Sequence, residues 1–256
     1  MYTLTDAQVM AWFGQIWWPF LRIGAFLTMM PIFGGMNIPV QVRIGLTWLI
    51  AAIAAPLMPP MPEVEPLSLQ AALLSAKEIL IGGIMAFVLE LLFSVFMTLG
   101  QILSTQMGLG MAMMNDPVNG VSIASIGKFY QLFAILLFLA LDGHLIALEV
   151  IVTSFDIWQV GETMSQMALK TVFMQFSWMI GAALLLSLPA MIAMLLVNIA
   201  FGVMNRAAPQ LNVFALGFPM TLLLGLACLF LTMSGIPHNF ANFCGEILTL
   251  MTHLEG

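Results

Sequence analysis

Residues Gln101 to Lys128, QILSTQMGLGMAMMNDPVNGVSIASIGK, form the least apolar interior stretch of this chain. Long runs of Leu, Ile, Phe, Met and Ala lie on either side. Within the stretch sit Gly108, Gly110, Gly120 and Gly127, together with Met107, Met111, Met113 and Met114 and a turn-like Asn115-Asp116-Pro117. Glycine frees the backbone from its usual limits, and proline disfavours helix at the residue before it. An ordinary spanning helix is not expected here. In lipid, irregular backbone leaves unpaired N–H and C=O groups, so it survives only when buried in protein or lining a water-filled space. The stretch is expected to be a loop inside an assembly, near a path or a seal.

Composition sets the surroundings of that loop. The 256 residues are 62% hydrophobic and only 7% charged, against about 25% charged in a soluble domain. This is the composition of an integral membrane protein, and the apolar runs and the resemblance described below make a polytopic, all-α fold the expectation. Twelve acidic and six basic residues give a net charge of −6, spread thinly. No basic run points to nucleic acid, and no Arg-rich amphipathic face points to a peripheral anchor. Six Lys and Arg are too few for the positive-inside rule to set an orientation. The start, Met1-Tyr2-Thr3-Leu4-Thr5-Asp6, lacks the basic region of a signal peptide, so the N-terminus is expected to be retained. Cys228 and Cys244 stand in apolar surroundings without CxxC spacing and read as inert buried thiols.

Outward from the loop, apolar runs are expected as helices over 7–30, 40–58 and about 67–100 on the N-terminal side. Pro31 to Pro39 breaks the first from the second. A proline-rich loop with Pro56, Pro59, Pro60, Pro62 and Pro66 precedes the third. The third is longer than the ~20 residues that cross a bilayer. On the C-terminal side, 129–155 is apolar, interrupted at Asp142-Gly143-His144, and 156–170 reads as a polar connector. A very long run over 171–204 contains Pro189 and Asn198. The polar hinge Asn205-Arg206-Ala207-Ala208-Pro209-Gln210-Leu211-Asn212 turns it back into 213–233, which carries Pro219. A shorter helix over 239–253 ends the chain. The pair 171–204 and 211–233 reads as a helical hairpin with a polar tip, kinked at its prolines.

Enzyme chemistry finds no foothold. HExxH and GxSxG are absent, and His144, His238 and His253 are too scattered for metal spacing. Asp142-Gly143-His144 between apolar runs is first a turn signal. No catalytic residue, metal or cofactor is expected. Charges within or beside the apolar runs are more informative: Arg22, Lys77, Glu78, Glu90, Glu149 and Arg206. Such charges pair, face a cavity or mark a pathway. Interhelical ion pairs, subunit contacts and an ion path all remain open. Lys77 and Glu78 are adjacent, so they point to different sides of a helix and cannot satisfy each other. The loop methionines likewise admit two readings, gap-filling or a soft surface that adapts to varied partners.

Short motifs then give the chain a likeness. Gly202-x-x-x-Arg206-Ala-Ala-Pro209-Gln210-Leu-Asn212-Val-Phe214-Ala-Leu-Gly217-Phe-Pro219 resembles the signature of the FliR/SctT family, membrane components of the type III export gate. Arg22 with Pro31-Ile-Phe-Gly34, Ile38-Pro39, Lys77-Glu78-x-x-x-Gly82, Gly100-Gln101, Gln106-Met-Gly-Leu-Gly110, Asp116-Pro117 and Asp142-Gly143-His144 agree in order. Asn198 departs from the family, which carries an acidic residue there.

The resemblance implies a non-enzymatic subunit of a bacterial flagellar export gate in the inner membrane, within the basal body. Family members assemble with FliP and FliQ into a helical ring of tilted, broken helices around a pore, beside FlhB, and unfolded flagellar proteins thread through. Membrane lipids flank such a complex, and nucleic acid has no part in it. Residues 1–165, with central pore loop 101–128, then look FliP-like, and 166–256 resembles the FliQ hairpin with a C-terminal helix. The resemblance implies a gate at Gln106, Met107, Gly108, Gly110, Met111, Met113, Met114, Asp116 and Pro117. It implies hairpin or subunit contacts at Arg206, Pro209, Gln210, Asn212 and Pro219. Arg22, Lys77, Glu78 and Glu90 are the candidate buried charges. Rival readings are the equivalent subunit of a virulence injectisome, a self-contained secondary transporter and a pure scaffold. The transporter reading expects repeated broken helices around a midplane site, and no second half is evident.

Overall fold

A computed structural model describes residues 6–35, 38–62, 64–65, 68–109, 124–162, 164–207 and 213–252. The described residues are helical and contain no strand. The helices are α1 (Asp6–Met29), α2 (Val40–Ala54), α3 (Leu69–Gln106), α4 (Ala124–Ala140), α5 (Gly143–Ile157), α6 (Gln166–Ala207), α7 (Val213–Met233) and α8 (Ile236–Thr252). A 3₁₀ turn over Ala55–Leu57 extends α2.

Local chemistry explains the boundaries. Ser68 starts α3, its Oγ accepting from the Ala71 amide at 3.1 Å. Ser165 starts α6 in the same way, accepting from Ala168 at 3.0 Å. Both occupy one of the orphan amides that open a helix. Asp142, at φ 55°, takes the left-handed conformation between α4 and α5, as short polar side chains do at turns. The pair 125–140 and 143–157 bends by 75° there, and 219–233 and 236–252 bend by 55° at Ser234-Gly235. Asp142-Gly143 is thus a turn.

Three helical segments are long and apolar enough to cross a membrane: Val40–Leu57, Leu69–Gln106 and Gln166–Met204. Each bent pair adds one more if it counts as a broken span. At ~1.5 Å per residue, α3 reaches about 57 Å and α6 about 63 Å, well beyond the ~30 Å hydrocarbon core. Helix α6 continues through Pro189, and α7 through Pro219.

Three expectations need correcting. Helix α3 runs on to Gln106 and α4 begins at Ala124, so both ends of the 101–128 stretch are helical. Helix α6 begins at Gln166 rather than 171, because Ser165 caps it. Helix α8 begins at Ile236 rather than 239. Pro237 falls in its first turn, where a missing N–H costs nothing.

By contact the chain divides into two compact units, Met1–Leu91 with Asp142–Gln175 and Gly245–Gly256, and Leu92–Leu141 with Phe176–Cys244. In the first, Phe20 of α1 meets Trp48 of α2 with ring centroids 5.4 Å apart. In the second, Phe93 meets Phe138 and Phe96 meets Phe240, each at 5.4 Å, holding α4 and α8 to α3.

Candidate functional site

The first unit is built around a buried charge. Arg22 and Glu78 are both 0% exposed, and Arg22 Nε donates to Glu78 Oε2 at 2.7 Å. The same guanidinium reaches the end of α5. Its Nη1 donates to the Ser154 carbonyl at 3.0 Å and to Ser154 Oγ at 3.1 Å, and its Nη2 donates to the Trp158 carbonyl at 2.9 Å. The Phe155 ring lies under it, 3.8 Å from guanidinium carbon to centroid. The last carbonyls of a helix lack internal partners and carry partial negative charge. Arg22 therefore serves a carboxylate, the Trp158 carbonyl and an aromatic face at once, and adds a second donor to the Ser154 carbonyl, which already accepts from the Trp158 amide at 2.9 Å. Its planar fork suits it to that task better than lysine.

Gly82, one turn after Glu78, lets α3 approach the α1 backbone at Arg22, since a Cβ there would collide with the Arg22 carbonyl oxygen. Lys77 points elsewhere, donating from Nζ to the Gly161 carbonyl at 2.9 Å. The neighbours Lys77 and Glu78 thus serve different partners. Lys77 and Glu90 are half-buried rather than enclosed, and Glu149 is exposed.

The second unit contains the described residues on either side of the 110–123 stretch. Gly100 of α3 and Gly127 of α4 meet so closely that a Cβ on Gly100 would stand 2.6 Å from the Gly127 Cα. This contact draws together the two helices that flank residues 110–123 in sequence. Beyond it, Gln106 ends α3 and is half-buried, while Met107 is buried against Leu109 and Met194. Ile126, Leu222 and Cys228 pack around that cluster. The Thr221 hydroxyl donates to the Met107 carbonyl at 3.5 Å. Gly225 provides room for the Met107 side chain, which a Cβ would strike. Gly108 then takes φ 79°, a left-handed conformation that favours glycine.

Gly110, Met111, Met113, Met114, Asp116 and Pro117 lie outside the described residues, as do Pro209, Gln210 and Asn212. Arg206 is exposed in the last turn of α6, and Pro219 is exposed within α7. The structure thus joins Arg22 to Glu78 and Met107 to the α6–α7 cluster. Ser154, Phe155 and Trp158 escaped the reading of the sequence, as did Met194, Thr221 and Gly225. The signal for the first three was present: a helix ending in an apolar segment needs a donor for its final carbonyls. Among the described residues no group of His, Cys, Asp or Glu has metal-binding geometry.

Comparison with known proteins follows from this geometry. The family described as bacterial export proteins, family 1, matches residues 13–247. The chain belongs to that family. Flagellar biosynthetic protein FliR of Escherichia coli (strain K12) is 31% identical over 255 residues, covering 99% of this chain and 96% of its own. FliR of Bacillus subtilis (strain 168) is 29% identical over 221 residues, 85% of each chain. Surface presentation of antigens protein SpaR of Shigella flexneri is 31% identical over 167 residues, 65% of each. The buried Arg22–Glu78 pair and the cluster around Met107 are structural anchors of this helical protein.

Proposed function

We propose that this family member is a structural and gating subunit of the bacterial flagellar type III protein export channel in the inner membrane. It assembles with FliP-like and FliQ-like subunits beside an FlhB-like protein. Residues 1–165 serve as the FliP-like part and 166–256 as the FliQ-like hairpin with its C-terminal helix. Unfolded flagellar proteins are the cargo, and the chain performs no catalysis. The observation that carries this reading is the likeness to Escherichia coli FliR along 99% of the chain. The exposed apolar faces of α6 and α7 are consistent with it: Phe173, Leu185, Leu196, Val203, Phe230 and Leu231 are all at least 64% exposed. Faces of that size belong against lipid or partner subunits.

The central loop is the candidate seal. A channel wide enough for an unfolded chain leaks unless something closes it. Methionines form a soft apolar constriction that favours dewetting and deforms around unlike side chains. Because Met107 is a packing anchor, deleting 110–117 tests the loop more cleanly than a longer deletion. The deletion is expected to raise the conductance of the assembled complex in a planar bilayer. Replacing Met111, Met113 and Met114 together with serine is expected to loosen the seal, and with leucine to keep it while slowing export. Equal conductance of deletion and wild type at equal incorporation would show that the loop is no plug.

A second reading, the equivalent subunit of a virulence injectisome, draws on the likeness to SpaR. That likeness covers 65% of the chain against 99% for the flagellar relative. A deletion strain that loses motility but keeps virulence secretion supports the flagellar reading; the reverse phenotype supports the second.

A further inference from the structure

Helix α3 is nearly enclosed over its middle third. Met85, Ala86, Val88, Leu89 and Leu91 are at most 3% exposed. One seam stays open. Ile84 is half-buried, Phe87 is 38% exposed and Glu90 is half-buried. Their spacing of three places them on one face of the helix. A carboxyl side chain therefore stands on an otherwise apolar seam, in the middle of a segment long enough to span the membrane. About 32 Å of helix precedes Glu90 and about 24 Å follows it, at ~1.5 Å per residue. The short glutamate side chain reaches neither end of the helix.

Glu90 has no ion pair or hydrogen-bond partner among the described residues. The basic side chains of its own unit are placed elsewhere. Arg22 is committed to Glu78 and the end of α5. Arg43 donates to the Gly35 carbonyl at 3.4 Å, and Lys77 donates to Gly161. Lys170 is exposed on α6. Ionisable groups within apolar spanning segments pair with another charge or face water.

We propose that Glu90, with Phe87 and Ile84 beside it, is a docking point for a membrane helix of a neighbouring subunit that presents a lysine or arginine flanked by apolar residues. The proposal rests on the assembly reading above. Charge complementarity selects the occupant: this chain has twice as many acids as bases, 12 against 6. An aromatic ring one turn from the carboxylate suits the apolar stem of a long cationic side chain.

The test uses the full chain co-expressed with its FliP-like and FliQ-like subunits and purified in mild detergent. Glu90→Gln keeps the shape and removes the charge. It is expected to lower partner retention by tenfold or more, equivalent to about 1.4 kcal/mol, while the lone chain becomes no less stable. Loss of retention without loss of stability separates a docking role from misfolding. Glu90→Lys is expected to abolish retention, and converting one intramembrane Lys or Arg of a partner to Glu is expected to restore it. If wild type retains its partners and Glu90→Gln retains them equally, the docking proposal alone fails. If Glu90→Gln instead changes only the ion conductance of an intact complex, the residue faces water and the proposal is overturned. If wild type retains no partner, the assembly reading fails and the proposal falls with it.

Discussion

The anchor at Arg22 and the anchor at Met107 each join segments far apart in sequence, and they do so with opposite chemistry. Arg22 uses four directed hydrogen bonds, one carboxylate and one aromatic ring, all within a fully buried site. Met107 uses a flexible thioether against Met194 and Leu109, with glycine at Gly225 making room. A buried ion needs every partner in place, because each unsatisfied charge is costly at low dielectric. A methionine cluster tolerates small displacements with little penalty. The first anchor therefore fixes helices at one geometry. The second holds the base of the central loop in a medium that yields.

The largest effect is expected from breaking the charged anchor on one side. Glu78→Ala leaves a buried guanidinium, and Arg22→Met leaves a buried carboxylate. Either is expected to cost about 3–5 kcal/mol, read as a large fall in the thermal midpoint of the detergent-solubilised complex. The double substitution Arg22→Met with Glu78→Met is expected to recover part of this, since replacing a whole buried pair with apolar residues is often nearly neutral. Recovery stays partial because the Trp158 carbonyl still loses its donor, at about 1–3 kcal/mol, while the Ser154 carbonyl keeps the Trp158 amide. Equal losses in the single and double variants would show that the pair itself is not what holds the helices.

A middle-sized effect is expected where backbone meets backbone. Gly100→Ala places a Cβ 2.7 Å from the Ile126 carbonyl oxygen as well as against Gly127. Neither contact is the flexible end of a side chain. Overpacking of this kind costs about 1–3 kcal/mol. Gly181 of α6 is the control, with nothing within 4 Å of a built Cβ. Gly181→Ala is expected to be neutral or to stabilise the lone chain by up to about 1 kcal/mol through helix propensity. Similar thermal midpoints for the two variants would mean that the Gly100–Gly127 approach does not pin the loop.

These anchors differ in how far the sequence reveals them. Apolar runs and their Pro and Gly breaks mark the helices, because lipid forces every backbone group into an internal bond. Helix α7 was expected to cover 213–233 and does. The ends of the 101–128 stretch were misread because glycine reads as a breaker, whereas Gly100 and Gly127 act by packing, inside helices. The partners of Arg22 were beyond local pattern: 56 residues separate it from Glu78 and 132 from Ser154. Neither helical periodicity nor charge spacing carries that distance. Within the Met107 cluster, methionine at any single position looks like filler. Only the convergence of Met107 and Leu109 with α6 and α7 residues distinguishes the anchor.

The smallest effect is the one that most sharpens the contrast. Met107→Leu is a volume-conserving exchange, expected to cost less than about 1.5 kcal/mol, because the hydrogen bond from Thr221 goes to the backbone carbonyl and survives. Leucine is branched where methionine is not, and the space over Gly225 is tight, so the new side chain has fewer ways to fit. If softness matters at the loop base, Met107→Leu keeps the thermal midpoint within a few degrees yet lowers the export rate in cells. Met107→Ala is expected to do the reverse of a selective change, costing about 2–5 kcal/mol and weakening everything together. Measuring midpoint and export side by side on both variants separates them. A leucine variant that loses stability as heavily as the alanine variant would mean that this cluster, like the one around Arg22, depends on a single fixed fit.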